Sequence, residues 1–326
     1  MSRVLVTGAA GFVGRALTRH LLGLGFDVCA VGRRAGTIEE MVPLHGIGTI
    51  NGATDWHGLL SGVSYVVHCA ARAHKLNDRN PDRMAAFRET NVAASLALAR
   101  QAAAAGVRRF IFLSSIGVNG NWTIRPFTEE DVPQPVEDYA RSKLEAETGL
   151  RQLATNTGME LVIIRPPLVY GPDAPGNFGR LLALAASGLP LPLGAADAPR
   201  SFVARDNLVD FISTTIMHPR AADQIFLVAD GQDLSTAKML RLIAGGLGRS
   251  PHLVTVPPTF LFWMSGLLGK RALLDRLLSP LQVDTAKARN MLDWRPLVAA
   301  EIAVQDAARQ WHTRKSVQSE LRRGRA

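Results

Sequence analysis

The fold is decided by Val4-Leu5-Val6-Thr7-Gly8-Ala9-Ala10-Gly11-Phe12-Val13-Gly14, a short apolar run that empties into three glycines at three-residue spacing. Such a run reads as a buried strand, a tight turn and the start of a helix. Gly8 lets the chain turn sharply, Gly11 removes a Cβ where a pyrophosphate would approach, and Gly14 lets the new helix lie close to the strand. The N–H groups at the helix start, those of Phe12 and Val13, then face an anion. Taken alone, the stretch points to a dinucleotide, with a merely tight strand-to-helix turn as the alternative.

Outward from this stretch the alternation repeats. Apolar residues at 12, 13, 16, 17, 21, 22 and 24 have a helical period, closed by Gly25. Strands are expected at Phe26 to Val31, Ile47 to Ile50, Val63 to Cys69, Phe110 to Ser114 and Leu161 to Arg165. Helices are expected at Trp56 to Leu60, Asp82 to Ala105 and Tyr139 to Asn156. This rhythm implies a parallel sheet with right-handed crossovers. Beyond Gly171 it breaks: Gly and Pro cluster at 171 to 199, Ile225 to Val228 is strand-like, Ser235 caps a helix to Ala244, and Asp284 to Leu292 is a last helix. The expected fold class is α/β, a Rossmann doubly wound parallel sheet over residues 1–170 with the catalytic groups included. A smaller C-terminal substrate-binding lobe takes most of 171–310, some of its segments returning to the Rossmann core, and 311–326 is a basic tail.

At 326 residues, 47% hydrophobic and 20% charged, the chain has room for one large α/β unit and a smaller lobe. The first strand starts at about Arg3, no uncharged apolar run reaches the roughly 18 to 20 residues of a membrane span, and a cytoplasmic location is expected. The longest apolar stretch, Thr259 to Leu268, lies between Pro257-Pro258 and Lys270-Arg271 and reads as a buried helix, any membrane contact being peripheral. Cys29 and Cys69 sit in apolar runs without the company of metal ligands, and the intervening first strand would hold them roughly 9 to 10 Å apart, too far for a disulfide. Of the net charge of +9, about five come from the six cations after Asp306 set against Glu320 alone, which reads as a solvated, partly disordered tail. No nucleic-acid-binding signature accompanies the charge.

The second strand exits at Gly32-Arg33-Arg34, where a carboxylate commonly accepts the adenosine ribose hydroxyls. Arg33 can clamp a 2′-phosphate, so NADP(H) is favoured over NAD(H), unless the two arginines are simply a solvated strand exit. Tyr139 and Lys143 stand at i, i+4 on one helix face. An ammonium beside the phenol, together with the charge of an oxidised nicotinamide, would favour phenolate and bring Tyr139 toward the range of proton transfer. Ser114-Ser115 at the preceding strand end offers a hydroxyl to polarise a substrate oxygen.

In order and spacing, Thr7-Gly-Ala-Ala-Gly-Phe-Val-Gly14, Asn91-Val92, Ser115 and Tyr139-x-x-x-Lys143 resemble the extended short-chain dehydrogenase/reductase superfamily, particularly its nucleotide-sugar epimerase/dehydratase branch. The resemblance spans nearly the whole chain. It implies that Ser115 and Tyr139 bind the reacting oxygen, that Tyr139 is the acid/base, and that Lys143 holds the nicotinamide ribose and tunes Tyr139. It also implies cofactor contacts at Gly8, Gly11, Phe12, Val13, Gly14, Arg33, Ala70, Ala71, Asn91 and Pro166, with Asn91 supporting the catalytic region. In the lobe, Gly176-Asn177-Phe178 resembles the segment whose asparagine reaches the substrate diphosphate, and Arg200 opens the motif whose arginine neutralises it. Asn177 could instead cap a helix, and Arg200 could be a surface charge.

Departures narrow the chemistry that the resemblance implies. Dehydratases carry an Asp-Glu pair after the catalytic hydroxyl residue, whereas Ser115 is followed by Ile116-Gly117. The usual Val-Tyr-Gly is here Val118-Asn119-Gly120, Leu168 replaces a substrate-binding asparagine of many epimerases, and Gly52 stands roughly where an adenine-binding Asp is common. The main expectation is an NADPH-dependent 4-keto reductase of a UDP-2-acetamido-2,6-dideoxy-hexulose for surface polysaccharide. The alternative is a UDP-sugar 4-epimerase; a more remote one is a noncatalytic NADP(H)-binding protein. A UDP-sugar is the expected partner, and a two-helix homodimer is what the branch commonly forms.

Overall fold

The computed structural model describes residues 2–38, 42–73, 82–257, 259 and 277–323. Its main sheet contains β1 (Arg3–Thr7), β2 (Asp27–Gly32), β3 (Gly36–Ile38), β4 (Val42–Gly46), β5 (Val63–His68), β6 (Arg109–Leu113), β7 (Glu160–Arg165) and β10 (Gln224–Leu227), while β8 (Leu168–Tyr170) and β9 (Phe202–Ala204) pair with each other. The order across the sheet is β10-β7-β6-β5-β1-β2-β4-β3, parallel except for the β3–β4 hairpin. Strand β1, which leads into the glycine turn, is thus central, between β2 and β5.

Continuous apolar runs make these strands because both faces are covered. Val4, Val6, Ala30, Val67, Ile111 and Ile164 point to one core. Leu5, Val31, Val66, Phe110, Phe112 and Ile163 point to the other, as the two-residue period requires. The first face is covered by α1 (Phe12–Gly23), α7 (Arg205–Met217) and α9 (Ala286–Leu292); the second by α2 (His57–Leu60), α4 (Ala94–Ala104) and α5 (Asp138–Thr157). Each fully buried Val, Leu, Ile or Phe contributes about 1.5 to 3 kcal/mol. An exposed pair such as Arg88–Glu145 is screened by solvent and adds little, so the two cores decide the fold.

A third core, around Tyr170, Phe178, Leu182, Met239, Leu240 and Val304, belongs to the lobe. It is enclosed by α6 (Asn177–Ala186), α8 (Thr236–Gly246) and α10 (Ala300–Arg323). Ser235 caps α8, accepting from the Lys238 N–H. Three segments beyond residue 200 return to the main sheet: α7, β10 beside β7, and α9. Buried Arg109 holds the end of α7, donating to the carbonyls of Thr215, Ile216 and His218 at 2.6 to 3.0 Å.

Two expectations are corrected. The third parallel strand is β4, earlier than Ile47 to Ile50; Pro43 and exposed His45 interrupt its apolar pattern, and beyond it the sheet continues only into the short antiparallel β3. Ile47 to Ile50 instead forms an irregular rim, Ile47 N–H donating to the Gly32 carbonyl at 3.0 Å. The basic stretch read as a tail continues α10 to Arg323, and Arg314 in it pairs with Asp173. Cys29 and Cys69 are free thiols on either side of β1. The apolar stretch Thr259 to Leu268 lies, save for Thr259, outside the described residues. Among the described residues, no helix is long and apolar enough to cross a membrane.

Candidate active site

The glycine turn is held by close packing rather than by a side-chain cap. Gly8 has φ +67°, and a Cβ there would stand 2.9 Å from the Ala70 nitrogen, just past β5. A Cβ on Gly11 would reach the Gly8 carbonyl oxygen at 3.0 Å, and one on Gly14 would collide with the same oxygen. The turn is therefore stripped of side chains where α1 begins, a cradle that fits a pyrophosphate. Phe12 turns away from this cradle: its ring packs against Gly171 and lies 5.5 Å from the Arg205 guanidinium.

Beneath the turn runs a buried polar chain. The Ala70 N–H donates to Thr7 Oγ1 at 3.2 Å, Thr7 meets His68 Nδ1 at 2.7 Å, His68 Nε2 meets Ser95 Oγ at 2.9 Å, and Ser95 donates to the Asn91 carbonyl at 2.7 Å. With the Ser95 proton committed to Asn91, His68 Nε2 carries hydrogen and Nδ1 accepts from Thr7. Burial, and secondarily the Lys143 charge, push His68 down to about 3, so the ring is neutral.

Asn91 lies in a π-helical turn, Arg88–Ala93, between α3 (Arg83–Phe87) and α4. Such turns recur at functional sites. Its side chain accepts from the Arg72 N–H at 2.8 Å and donates to the Arg72 carbonyl at 3.1 Å and to Ser142 on α5 at 2.9 Å. Asn91 thus ties the segment after β5 to α5, the helix that carries Tyr139 and Lys143, from behind. The neighbouring Thr90 lines the cleft instead.

That cleft, about 410 Å³, runs from the glycine turn past Gly32, Arg33 and Ala70 to Ala71. Thr49, Ile50, Trp56 and Arg72 also line it, contributions that short irregular segments made hard to foresee. Gly52 is not in its wall; its N–H donates to Glu89 at 3.2 Å. A second cleft of about 390 Å³, lined by Arg151, Met159 and Asp223 among others, lies at the opposite end of β7 and β10, away from these groups.

On α5, Tyr139 and Lys143 share a face beside the ends of β5 and β6. Lys143 is 1% exposed, its Nζ 4.0 Å from the Phe112 ring centroid. Burial pushes it down to about 7, with Glu147 acting in the opposite direction. Tyr139 lies edge-on to Phe87 at 6.2 Å. Burial pushes its phenol up to about 12, opposite to the direction expected from the Tyr/Lys pair.

Ser115 follows β6 and opens a 3-10 turn, its Oγ accepting from the Gly117 N–H at 3.2 Å and leaving its own proton to donate. The Ile116 N–H donates to the Pro166 carbonyl at 2.9 Å. A Cβ on Gly117 would lie 3.2 Å from the Ala140 Cβ, so the serine turn sits flush against α5 next to Tyr139. Asn119 was expected to alter the pocket wall; it is 1% exposed and accepts from Arg165 at 3.0 Å.

Asn177 is exposed at the first position of α6, after Gly176. Arg200 is bridged through its backbone to Leu234 and Leu281, and its guanidinium donates to the Ser279 carbonyl. Burial pushes Arg200 down to about 10, leaving it a cation. Among the described residues no hydrogen bond joins Asn177 to Arg200.

Residues 4–229 match the NAD dependent epimerase/dehydratase family. The chain belongs to this family. It is therefore an extended short-chain dehydrogenase/reductase, an enzyme of NAD-dependent type. It is 43% identical over 297 residues to a UDP-glucose 4-epimerase of Vibrio cholerae, covering 90% of each chain. A UDP-glucose 4-epimerase of Mycolicibacterium smegmatis is 30% identical over 315 residues, 91% of this chain and 94% of the relative. Among solved structures, MoeE5 in complex with UDP-glucose and NAD has a TM-score of 0.77 at 23% identity, over 97% of this chain and 100% of that one, a likeness of fold.

Proposed function

We propose that the protein is a UDP-sugar 4-epimerase. The observation that carries this reading is the 43% identity, over 90% of both chains, with the Vibrio cholerae UDP-glucose 4-epimerase, joined to an intact Ser115, Tyr139 and Lys143 set. It replaces the 4-keto reductase as the main reading, because the similarity favours epimerases and nothing in it singles out a reductase.

The glycine cradle, Thr90 and Lys143 would hold a nicotinamide dinucleotide, which supplies hydride exchange at C4. Tyr139 takes the proton of the C4 hydroxyl and returns it after the sugar has turned its other face. Ser115 donates a hydrogen bond to the same oxygen and stabilises charge there. Lys143 opposes charge build-up on Tyr139. Asn177 and Arg200 orient the diphosphate from the lobe, and because both lie on lobe segments the sugar can turn between two fixed ends. The Ile116-Gly117 sequence after Ser115 lacks the carboxylates that a dehydration would use.

A second reading is favoured by one observation. Gly32 and Arg33 line the cleft where a ribose-binding carboxylate is common, which suits NADP(H) and a reductase that exchanges cofactor each turnover. Cofactor released from purified protein by denaturation distinguishes the two: retained NAD supports the epimerase, whereas an empty protein that oxidises NADPH against a 4-keto-6-deoxy UDP-sugar supports the reductase.

A further inference from the structure

Behind the catalytic helix lies a buried polar cluster to which no role in the reaction has been assigned. Glu147, 2% exposed, sits one turn beyond Lys143 and two beyond Tyr139 on the same face of α5. Arg165 at the end of β7, 3% exposed, donates from Nε to the two Glu147 oxygens at 3.0 and 3.2 Å, and from its terminal nitrogen at 2.5 Å. Ser114, the residue before Ser115, donates its hydroxyl to Glu147 as well. Asn119 takes the other arm of Arg165 and donates to the Thr128 carbonyl at 3.2 Å. Four segments are thereby pinned at one point: the end of β6, the serine turn, α5 and the end of β7 beside Pro166.

The charges around Lys143 make Glu147 more than a staple. From the end of β5, His68 is neutral and the Cys69 thiol is pushed up to about 12 by burial, so both are uncharged near neutrality. From β6 it meets the Phe112 ring, and from α5 it shares a face with Tyr139 and Glu147. The buried polar residues of the π-helical turn and α4 are the uncharged Asn91 and Ser95, while Arg88 and Glu89 of that turn are not buried. Glu147 is the one carboxylate acting on Lys143 among the described residues, and Arg165 competes for it. Oxidation of a bound nicotinamide would add a further positive charge.

We propose that Glu147 is a positioning residue for the reaction: its clamped carboxylate supplies the negative charge that keeps Lys143 an ammonium beside Tyr139, while Arg165, Ser114 and Asn119 hold that carboxylate in register with the serine turn. The inference rests on the epimerase reading only for its effect on turnover. Arg165 limits the support that Glu147 can lend, so the two side chains set the Lys143 charge in opposite directions.

The test is the ionisation of Lys143 in the full-length protein with NAD added, followed by NMR of isotope-labelled lysine side chains and assigned with Lys143→Arg. Glu147→Gln keeps the hydrogen-bonding shape and removes the charge. It is expected to lower the Lys143 midpoint by about one unit or more. The basic limb of the turnover profile should move down with it, whereas Glu147→Asp, which keeps the charge, leaves the midpoint near that of the parent. An unmoved midpoint in folded Glu147→Gln overturns the proposal. Should that variant not fold, Arg165→Gln, whose amide still donates to Glu147, is expected to raise the midpoint, and no change or a fall overturns the proposal. Absence of epimerisation with the NMR shift intact would remove the proposed function and leave this inference standing.

Discussion

In the proposed reaction Tyr139 is the acid/base, and its surroundings explain why it needs help. Burial alone holds the phenol up at about 12. Proton transfer near neutrality therefore depends on the ammonium of Lys143 and on the cofactor charge. Tyr139→Phe is expected to lower turnover by about a thousandfold or more, with dinucleotide binding, read by fluorescence titration, within about threefold of the parent. His68 supports a second prediction. Burial holds it at about 3 when folded, against 6.5 for the free side chain, so on acidification the unfolded chain takes the proton first. The stability this group contributes is full above about pH 6.5 and is lost progressively from there toward about pH 3. Urea midpoints should fall over that window, and His68→Gln should flatten the fall. An identical pH dependence in the variant would count against the neutral, relayed His68.

At the scale of elements, the parts most legible in the sequence are those where local pattern and global burial agree. The glycine turn, the central strands and the Tyr139 helix follow from runs and spacings that the two-sided cores require. Strand β4 escaped because none of its five residues is fully buried, and Pro43 and His45 break what apolar pattern remains. The Glu147–Arg165 cluster was invisible for another reason: its members come from separate segments, and only the fold brings them together. Thr90 and Arg72 were missed because irregular and π-helical backbone aims them into the cleft. The glycine turn also makes a firm prediction. Gly14→Val places side-chain atoms against the Gly8 carbonyl and should weaken dinucleotide binding by about tenfold or more. Trp294→Ala in the segment after α9 removes a ring that donates to Asp210 at 2.7 Å and lies 4.9 Å from Phe211. It should cost about 3 to 5 kcal/mol in urea unfolding while leaving the catalytic groups in place.

At the scale of the whole molecule, the lobe and the sheet are joined at the cofactor turn itself. Phe12 begins α1 yet packs with the lobe core, against Gly171 and Arg205. Close by in sequence, Tyr170 donates to Asp230 at 2.7 Å, and Asp230 also accepts from Asn207 at 2.7 Å. Asn207 in turn bonds the backbone of Val298 in both directions. The segments proposed to grip the diphosphate are therefore anchored to the turn proposed to seat the pyrophosphate. Family membership settles the architecture and the NAD-dependent class; the remaining claim is that both half-reactions occur on one protein without exchange of cofactor. The direct measurement is to incubate the purified protein with UDP-glucose, with no dinucleotide added, and follow the configuration at C4 by NMR. Steady interconversion of UDP-glucose and UDP-galactose, with no net change in nicotinamide absorbance, is the predicted result. No interconversion, even with NAD supplied, together with stoichiometric oxidation of NADPH by a 4-keto UDP-sugar, would contradict it.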